Sequence, residues 1–271
     1  MSAEILYRDV TEKCEEFILG KERQGGNLKI LALDSSGLVA SVALAEDDNL
    51  IAEYTVQYKK THSQTLLPML EEIGRMVDLD LSTVDAIAVA AGPGSFTGLR
   101  IGSATAKGLA FALGKPIIPV PTVDGLAFQM YGAKDLVCPI MDARRSQVYT
   151  GFYEFVPDRG GRFIYDMRVI REQCAVAFDE IAEALNELDR SVIFLGDGVP
   201  VFQERMEQMM RVPYTTAPLH RARQSAAALA SLGRLYYEKG RTVDGAAFAP
   251  DYLRLSQAER ERAEKEREVS Q

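Results

Sequence analysis

Ala91-Gly92-Pro93-Gly94-Ser95-Phe96-Thr97-Gly98-Leu99-Arg100-Ile101-Gly102 follows the short apolar run Ala86-Ile87-Ala88-Val89-Ala90. The run reads as a buried strand, and the stretch after it opens a small-residue helix reaching about Gly114. A strand that feeds a helix through a glycine-rich turn is where α/β proteins gather function. Glycine permits tight backbone paths, and N–H groups at a helix start attract an anion or carboxylate. No Gly-Lys-Ser/Thr follows, and Gly92, Gly94 and Gly98 lack the spacing of the dinucleotide-binding fingerprint. Three readings stay open: a plain tight turn, an anion loop, or a docking surface. Gly98, Gly102, Ala106, Ala110 and Gly114 recur every fourth residue, and Ala104, Gly108 and Ala112 flatten another side. Such strips let a second helix approach closely, within the fold or across an interface.

Upstream of this stretch, Lys29–Asp34 reads as a buried strand ending on a carboxylate. Ser35-Ser36-Gly37 is turn chemistry, and Val39–Leu44 and Leu50–Gln57 complete a three-stranded meander. Thr61–Val77 carries Leu66, Leu67, Leu70, Ile73 and Val77 at helical spacing. Pro68 requires that this helix either starts near Thr65 or bends. Downstream come a strand at Ile117–Val120 and a helix at about Thr122–Tyr131. A second series follows: strands near Leu136–Met141, Gln147–Phe155 and Phe163–Arg171, a helix at Phe178–Leu188, the strand Ser191–Leu195 and a helix through Met210. Three strands, then helix, strand and helix, thus occur twice, an internal duplication of architecture. The organisation expected is a helical extension at 1–27, a first lobe at 28–131, a second lobe at 132–222, a closing helix and segment at 223–255, and a charged tail at 256–271.

The 271 residues carry a formal net charge of -8, which argues against autonomous nucleic-acid binding but not against RNA binding by an assembly. Cys14, Cys138 and Cys174 are dispersed, as befits reduced thiols in a cytoplasmic protein. No apolar run is long enough to span a membrane. Only His62 and His220 are present, so no histidine-rich metal site is expected. His62 reads as a capping or surface residue. Asp34 and Ser35 either meet phosphate or metal at a strand end or satisfy their own turn. A phosphotransfer enzyme needs a second acid at the neighbouring strand end, where Ala90, Ala91 and Gly92 offer none. Asp142-Ala143-Arg144-Arg145 either binds phosphate or forms a local ion pair. Gly196-Asp197-Gly198 reads as a turn and helix entry in preference to a nucleotide contact. With Gly94 and Ser95, the residues Asp34, Ser35, Asp142 and Arg144 are the candidate ligand contacts, and no catalytic or metal-binding residue is assigned.

Leu31–Ser36, Thr61-His62-Ser63-Gln64, Ala91–Gly102, Met141–Arg145 and Pro250-Asp251-Tyr252-Leu253-Arg254 occur in one order that resembles the TsaB family over about residues 28–255. The resemblance implies an actin-like, sugar-kinase-like ATPase (ASKHA) fold with two lobes of βββαβαβα type and a degenerate nucleotide site. It implies a non-catalytic dimerisation subunit of the tRNA N6-threonylcarbamoyladenosine-forming complex. That subunit activates the catalytic homologue TsaD, which modifies the adenosine beside the anticodon; the small ATPase TsaE joins the assembly. tRNA is met only through the complex, and the chain alone forms a homodimer. No cofactor is tightly bound, and ATP or ADP belongs only to the partner complex. By this carry-over Leu66, Leu70 and Ile73 on one helix, and Phe96, Leu99, Gly102 and Ala106 on the next, form the shared interface. The alternatives are an ASKHA-fold phosphotransferase or metallopeptidase acting on its own, or a stand-alone nucleotide-binding regulator.

Overall fold

The structure, a computed structural model, describes residues 27–58, 61–158, 160 and 163–254. The expected N-terminal helix, with Cys14, and the charged tail lie outside the described residues. The first lobe runs β1 (Lys29–Asp34), β2 (Ala40–Glu46), β3 (Asn49–Val56), α1 (His62–Met76), β4 (Ala86–Ala90), α2 (Phe96–Leu113), β5 (Ile117–Val120) and α3 (Thr122–Phe128). The second runs β6 (Leu136–Asp142), β7 (Gln147–Pro157), β8 (Tyr165–Ala177), α4 (Phe178–Leu188), β9 (Val192–Leu195), α5 (Val199–Met209), β10 (Tyr214–Thr216) and α6 (Ala226–Glu238). One sheet has the order β3-β2-β1-β4-β5 and the other β8-β7-β6-β9-β10, so the two repeat one topology. In each, the first three strands pair antiparallel and the last two join in parallel. β4 is buried along its whole length, as a central strand covered on both faces must be, which is why its sequence is uniformly apolar.

Some expected elements shift. β8 continues through Ala177 because its pairing with β7 carries it past Arg171, and β10 is too short to show any pattern. α1 runs unbroken from His62 to Met76 with Pro68 inside it. Pro68 lies on the exposed side, where water can replace the missing backbone donor.

The small-residue strip requires a correction. Gly98, Leu99, Gly102, Ala106 and Ala110 face inward, and so do Leu66, Leu70 and Ile73 of α1. A Cβ on Gly98 would sit 2.0 Å from the Ser35 carbonyl oxygen, and one on Gly102 would sit 2.5 Å from Ser35 Oγ. The strip exists so that α2 can lie on the turn after β1, and Ser35 Oγ donates to the Gly98 carbonyl at 2.8 Å. Six of the seven expected interface residues are therefore core of the lobe. Phe96, the seventh, is half-buried with its ring 4.7 Å from that of Tyr252.

The lobes exchange helices. α3, made with the first lobe, packs on β6 and β7, whereas α6, made with the second, covers β1, β2 and β5. The resulting seam holds Ile30, Ala32, Val120, Phe128, Val137, Tyr153 and Leu229 in one continuous core. Within it Asp124 of α3 accepts hydrogen bonds from Tyr153 of β7 (2.7 Å) and Tyr236 of α6 (2.9 Å). Separate cores lie under α1 and α2 and under α4 and α5.

Candidate functional site

The strand ends of both sheets meet at a cleft of about 540 Å³ between the lobes. On the first lobe, β1 delivers Asp34, whose Oδ1 accepts from Ser36 N (2.9 Å) and Ser36 Oγ (2.6 Å). Burial pushes the Asp34 carboxyl up, while the Ser36 hydrogen bonds and the nearby His62 pull it back down. Asp34 and Ser35 are both buried and neither lines the cleft. Of the two readings for this turn, the one in which its own residues satisfy it describes the geometry. His62 is not a surface cap: its Nε2 lies 2.9 Å from the Gly37 carbonyl, tying α1 to the same turn, and its ring lines the cleft.

The glycine loop is likewise held by hydrogen bonds within the fold. Gly92 N donates to Thr122 Oγ1, Ser95 N to the Ser36 carbonyl at 2.6 Å, and Gly98 N to Ser95 Oγ, which caps α2. These amides are thus occupied by the fold, although Gly94 and Ser95 do line the cleft. A Cβ on Gly92 (φ 113°) would lie 2.1 Å from the Asp251 carbonyl oxygen, so this position requires glycine.

The opposite wall comes from the end of β6. Arg144 Nη1 lies 3.0 Å from Asp142 Oδ2, and Asp142 Oδ1 accepts from Arg144 N at 2.8 Å. The local ion pair is what the structure contains at this turn. Arg144, Arg145 and Ser146 follow one another in the left-handed region (φ 64°, 56° and 58°), a costly run for residues with side chains. Asp197, at the exit of β9, accepts from Asp142 N at 3.1 Å, and burial raises its carboxyl above the usual range. It supplies a second cleft acid beside Asp142, from the neighbouring strand of the same sheet. Arg223 Nη1 holds the Gly196 carbonyl at 2.6 Å behind it.

The closing segment expected at 223–255 ends in a strap across this cleft. Asp251 N donates to the Ala91 carbonyl at 2.6 Å, Tyr252 packs on Phe96, and Arg254 Nη1 donates to the Ala143 carbonyl on the far lobe. The run Pro250–Arg254 was visible as a motif, but nothing in its composition placed it across two lobes. Among the described residues, no three His, Cys, Asp or Glu side chains gather as a metal site, and no helix is long and apolar enough to cross a membrane.

Two lobes of one repeated topology, meeting at an interlobe cleft floored by strand ends, define the actin-like, sugar-kinase-like ATPase fold. The family model described as "TsaD: tRNA N6-adenosine threonylcarbamoyltransferase" matches residues 49–262. A Bacillus subtilis protein named "tRNA threonylcarbamoyladenosine biosynthesis protein TsaB" is 37% identical over 86% of this chain and 96% of its own length. The Haemophilus influenzae protein of the same name is 33% identical over 84% of this chain and 94% of its own. The solved structure "YeaZ from Pseudomonas aeruginosa" superposes with a TM-score of 0.69 at 31% identity, covering 83% of this chain and all of that one. The chain belongs to the TsaB family.

Proposed function

We propose that this chain is the non-catalytic, dimerising subunit of the machinery that forms N6-threonylcarbamoyladenosine in tRNA. It acts in the cytoplasm by pairing with a TsaD-type catalytic homologue, with TsaE joining the assembly. The carrying observation is the outer face of α1 and α2. Phe111 on α2 is 90% exposed, and Met76 and Leu67 on α1 are 67% and 55% exposed. Beside them Ala104 is exposed, and Gly108 has nothing within 4 Å of where its Cβ would stand. Because Gly98 abuts His62, the two helices start side by side. A large exposed apolar side chain such as Phe111 beside exposed small residues fits a protein contact, and the small residues admit a close helix–helix approach. The docking face is thus the second of the two small-residue strips, the one that includes Ala104, Gly108 and Ala112. In isolation two copies meet through it as a homodimer.

The names of the relatives support the pathway. The hydrogen bonds held by Asp34 and by the glycine loop support a non-catalytic role, since the groups that would grip phosphate already serve the fold. ATP or ADP is accordingly taken up only within the partner complex. The net charge of -8 fits a chain that meets tRNA through its partners.

The test is Phe111→Glu, a change at an exposed side chain that leaves the lobe folded. Sedimentation velocity of the variant, alone and with the TsaD-type subunit, is expected to show monomers and no complex. Pairing at wild-type affinity refutes the docking face. ATP hydrolysis or carbamoyl transfer by the purified chain alone refutes the non-catalytic assignment.

A further inference from the structure

The strap over the interlobe cleft is anchored firmly at its root and lightly along its length. Phe248, 3% exposed, fixes the chain in the core under α1 and α2. From Pro250 to Arg254 no residue is buried and none lies in a helix or strand. A segment with so little buried apolar contact opens locally while the rest of the fold stays closed. Tyr252, Leu253 and Arg254 nevertheless wall the cleft, which Arg144 and Arg145 line from the second lobe.

Hydrogen bonds hold the strap at both ends. Asp251 N donates to the Ala91 carbonyl, Gln173 Nε2 of β8 donates to Asp251 Oδ2 at 3.3 Å, and Arg254 donates to the Ala143 carbonyl. Between them the strap is held by a stack that begins on the outside of α2. Arg100 is exposed, and its guanidinium lies 4.1 Å from the centre of the Phe96 ring. The same ring has Tyr252 4.7 Å away, tilted by 40°.

Arg100, Ala104 and Gly108 stand four residues apart on α2 and are all exposed, so Arg100 belongs to the proposed docking face. A cation covered by a partner loses its water and requires an acceptor. An aromatic face is a weak acceptor. A carboxylate forms charge-assisted hydrogen bonds and outcompetes it for the guanidinium. Once the guanidinium leaves, Phe96 loses one of the two groups that fix its ring against Tyr252.

We propose that Arg100, Phe96 and Tyr252 form a relay from the docking face to the cleft. A partner helix that presents a carboxylate to Arg100 draws it off Phe96, and the strap from Pro250 to Arg254 lifts away. This relay rests on the docking face proposed above, and adds to it the partner's chemistry and the device that keeps the cleft covered in the unpaired chain. The lobes keep their places, because only the strap moves. By linkage, a ligand that enters the uncovered cleft strengthens pairing by the same factor.

The chain has no tryptophan, so Tyr252→Trp, made with 5-hydroxytryptophan and excited beyond the absorption of ordinary tryptophan, reports on the strap alone. Acrylamide quenching of the full-length protein is measured at a dilution where sedimentation shows monomer, then with saturating TsaD-type subunit. Adding Phe96→Leu sets the value for a released strap, and thermal melts verify that each variant is folded. Pairing is expected to raise the quenching constant about two-fold or more, towards the released value, as local opening exposes the ring. Arg100→Ala is expected to raise it without the partner. Arg100→Glu is expected to weaken pairing about ten-fold or more relative to Arg100→Ala, because it sets two carboxylates against each other. Pairing with unchanged or lower quenching overturns the relay alone, as does an Arg100→Ala chain quenched like the unpaired parent. Equal pairing by the alanine and glutamate variants overturns the carboxylate partner. Absence of pairing by the parent chain overturns the docking face itself, and the relay with it.

Discussion

Replacing single glycines of α2 by alanine separates the inward strip from the outward one. At Gly108 a Cβ meets nothing within 4 Å, so Gly108→Ala adds only helix propensity and stabilises the chain by about 0.5–1 kcal/mol. At Gly102 the methyl arrives 2.5 Å from Ser35 Oγ, a group that can rotate away. Rotation forfeits its hydrogen bond to the Gly98 carbonyl, about 1 kcal/mol, which offsets the propensity gain and leaves a net change near zero to a loss of about 1 kcal/mol. At Gly98 the methyl would lie 2.0 Å from the Ser35 carbonyl oxygen, a backbone atom that moves only if β1 or α2 moves. Overpacking of that kind costs about 1–3 kcal/mol, and losing the Ser35 bond brings the total to roughly 2–4 kcal/mol. Urea unfolding of the three full-length variants, followed by far-UV circular dichroism, should give the order Gly108→Ala, wild type, Gly102→Ala, Gly98→Ala. A Gly98→Ala protein as stable as wild type would refute the close packing of α2 on the Ser35 turn. A Gly108→Ala protein weakened by more than about 1 kcal/mol would refute the outward assignment of that face.

Two further outcomes follow from buried groups. Asp124→Ala leaves the Tyr153 and Tyr236 hydroxyls without their shared acceptor, and at about 1–3 kcal/mol for each stranded buried group it should lower unfolding stability by roughly 2–6 kcal/mol. Because burial raises the Asp124 carboxyl, the unfolded chain loses that proton first as pH rises, so its contribution to stability falls from the ordinary aspartate value up to the raised one. Asp124→Asn removes that slope, and its stability relative to wild type should climb across this window; a constant difference in pH-resolved urea titrations would contradict it. Burial pushes the Cys138 thiol up to about 12, and the side chain is wholly enclosed, so native protein should be alkylated at Cys174 and acquire label at Cys138 only on unfolding. Equal labelling of the two thiols in native protein would show that the second lobe opens more readily than its core packing allows.

Much of the fold is legible because strand burial leaves a local mark. Ala86–Ala90 must be apolar on both faces, and Asp34 and Asp142 end their strands where turn residues begin. The orientation of α2 is not local in this sense. Its heptad-scale pattern places small residues on two sides, and only the position of Ser35, some sixty residues earlier (|i−j| = 63 for its bond to Gly98), decides which side turns inward. Leu66, Leu70 and Ile73 look alike as interface or core for the same reason: an apolar stripe does not say what covers it. β10 is held by three parallel pairs to β9 and has no periodicity of its own. At the cleft, Asp142 and Arg144 were readable from their strand end. The bonds that fix Asp197 and Arg254 at the cleft were not, because their partners lie on distant segments.

The exchange of α3 and α6 sets an order on biosynthesis. The first sheet is complete in sequence once β5 has left the ribosome, but the helix that roofs β1 and β2 is among the last elements to be made. Until Ala226–Glu238 emerges, Ile30, Ala32 and Ala43 have no lid, and α3 has no second sheet to rest on. The nascent first half therefore waits, partly uncovered, and the two halves reach their native packing together rather than in succession. In the finished molecule the same clasp means that the cleft cannot gape as a simple hinge would: each half already holds a piece of the other.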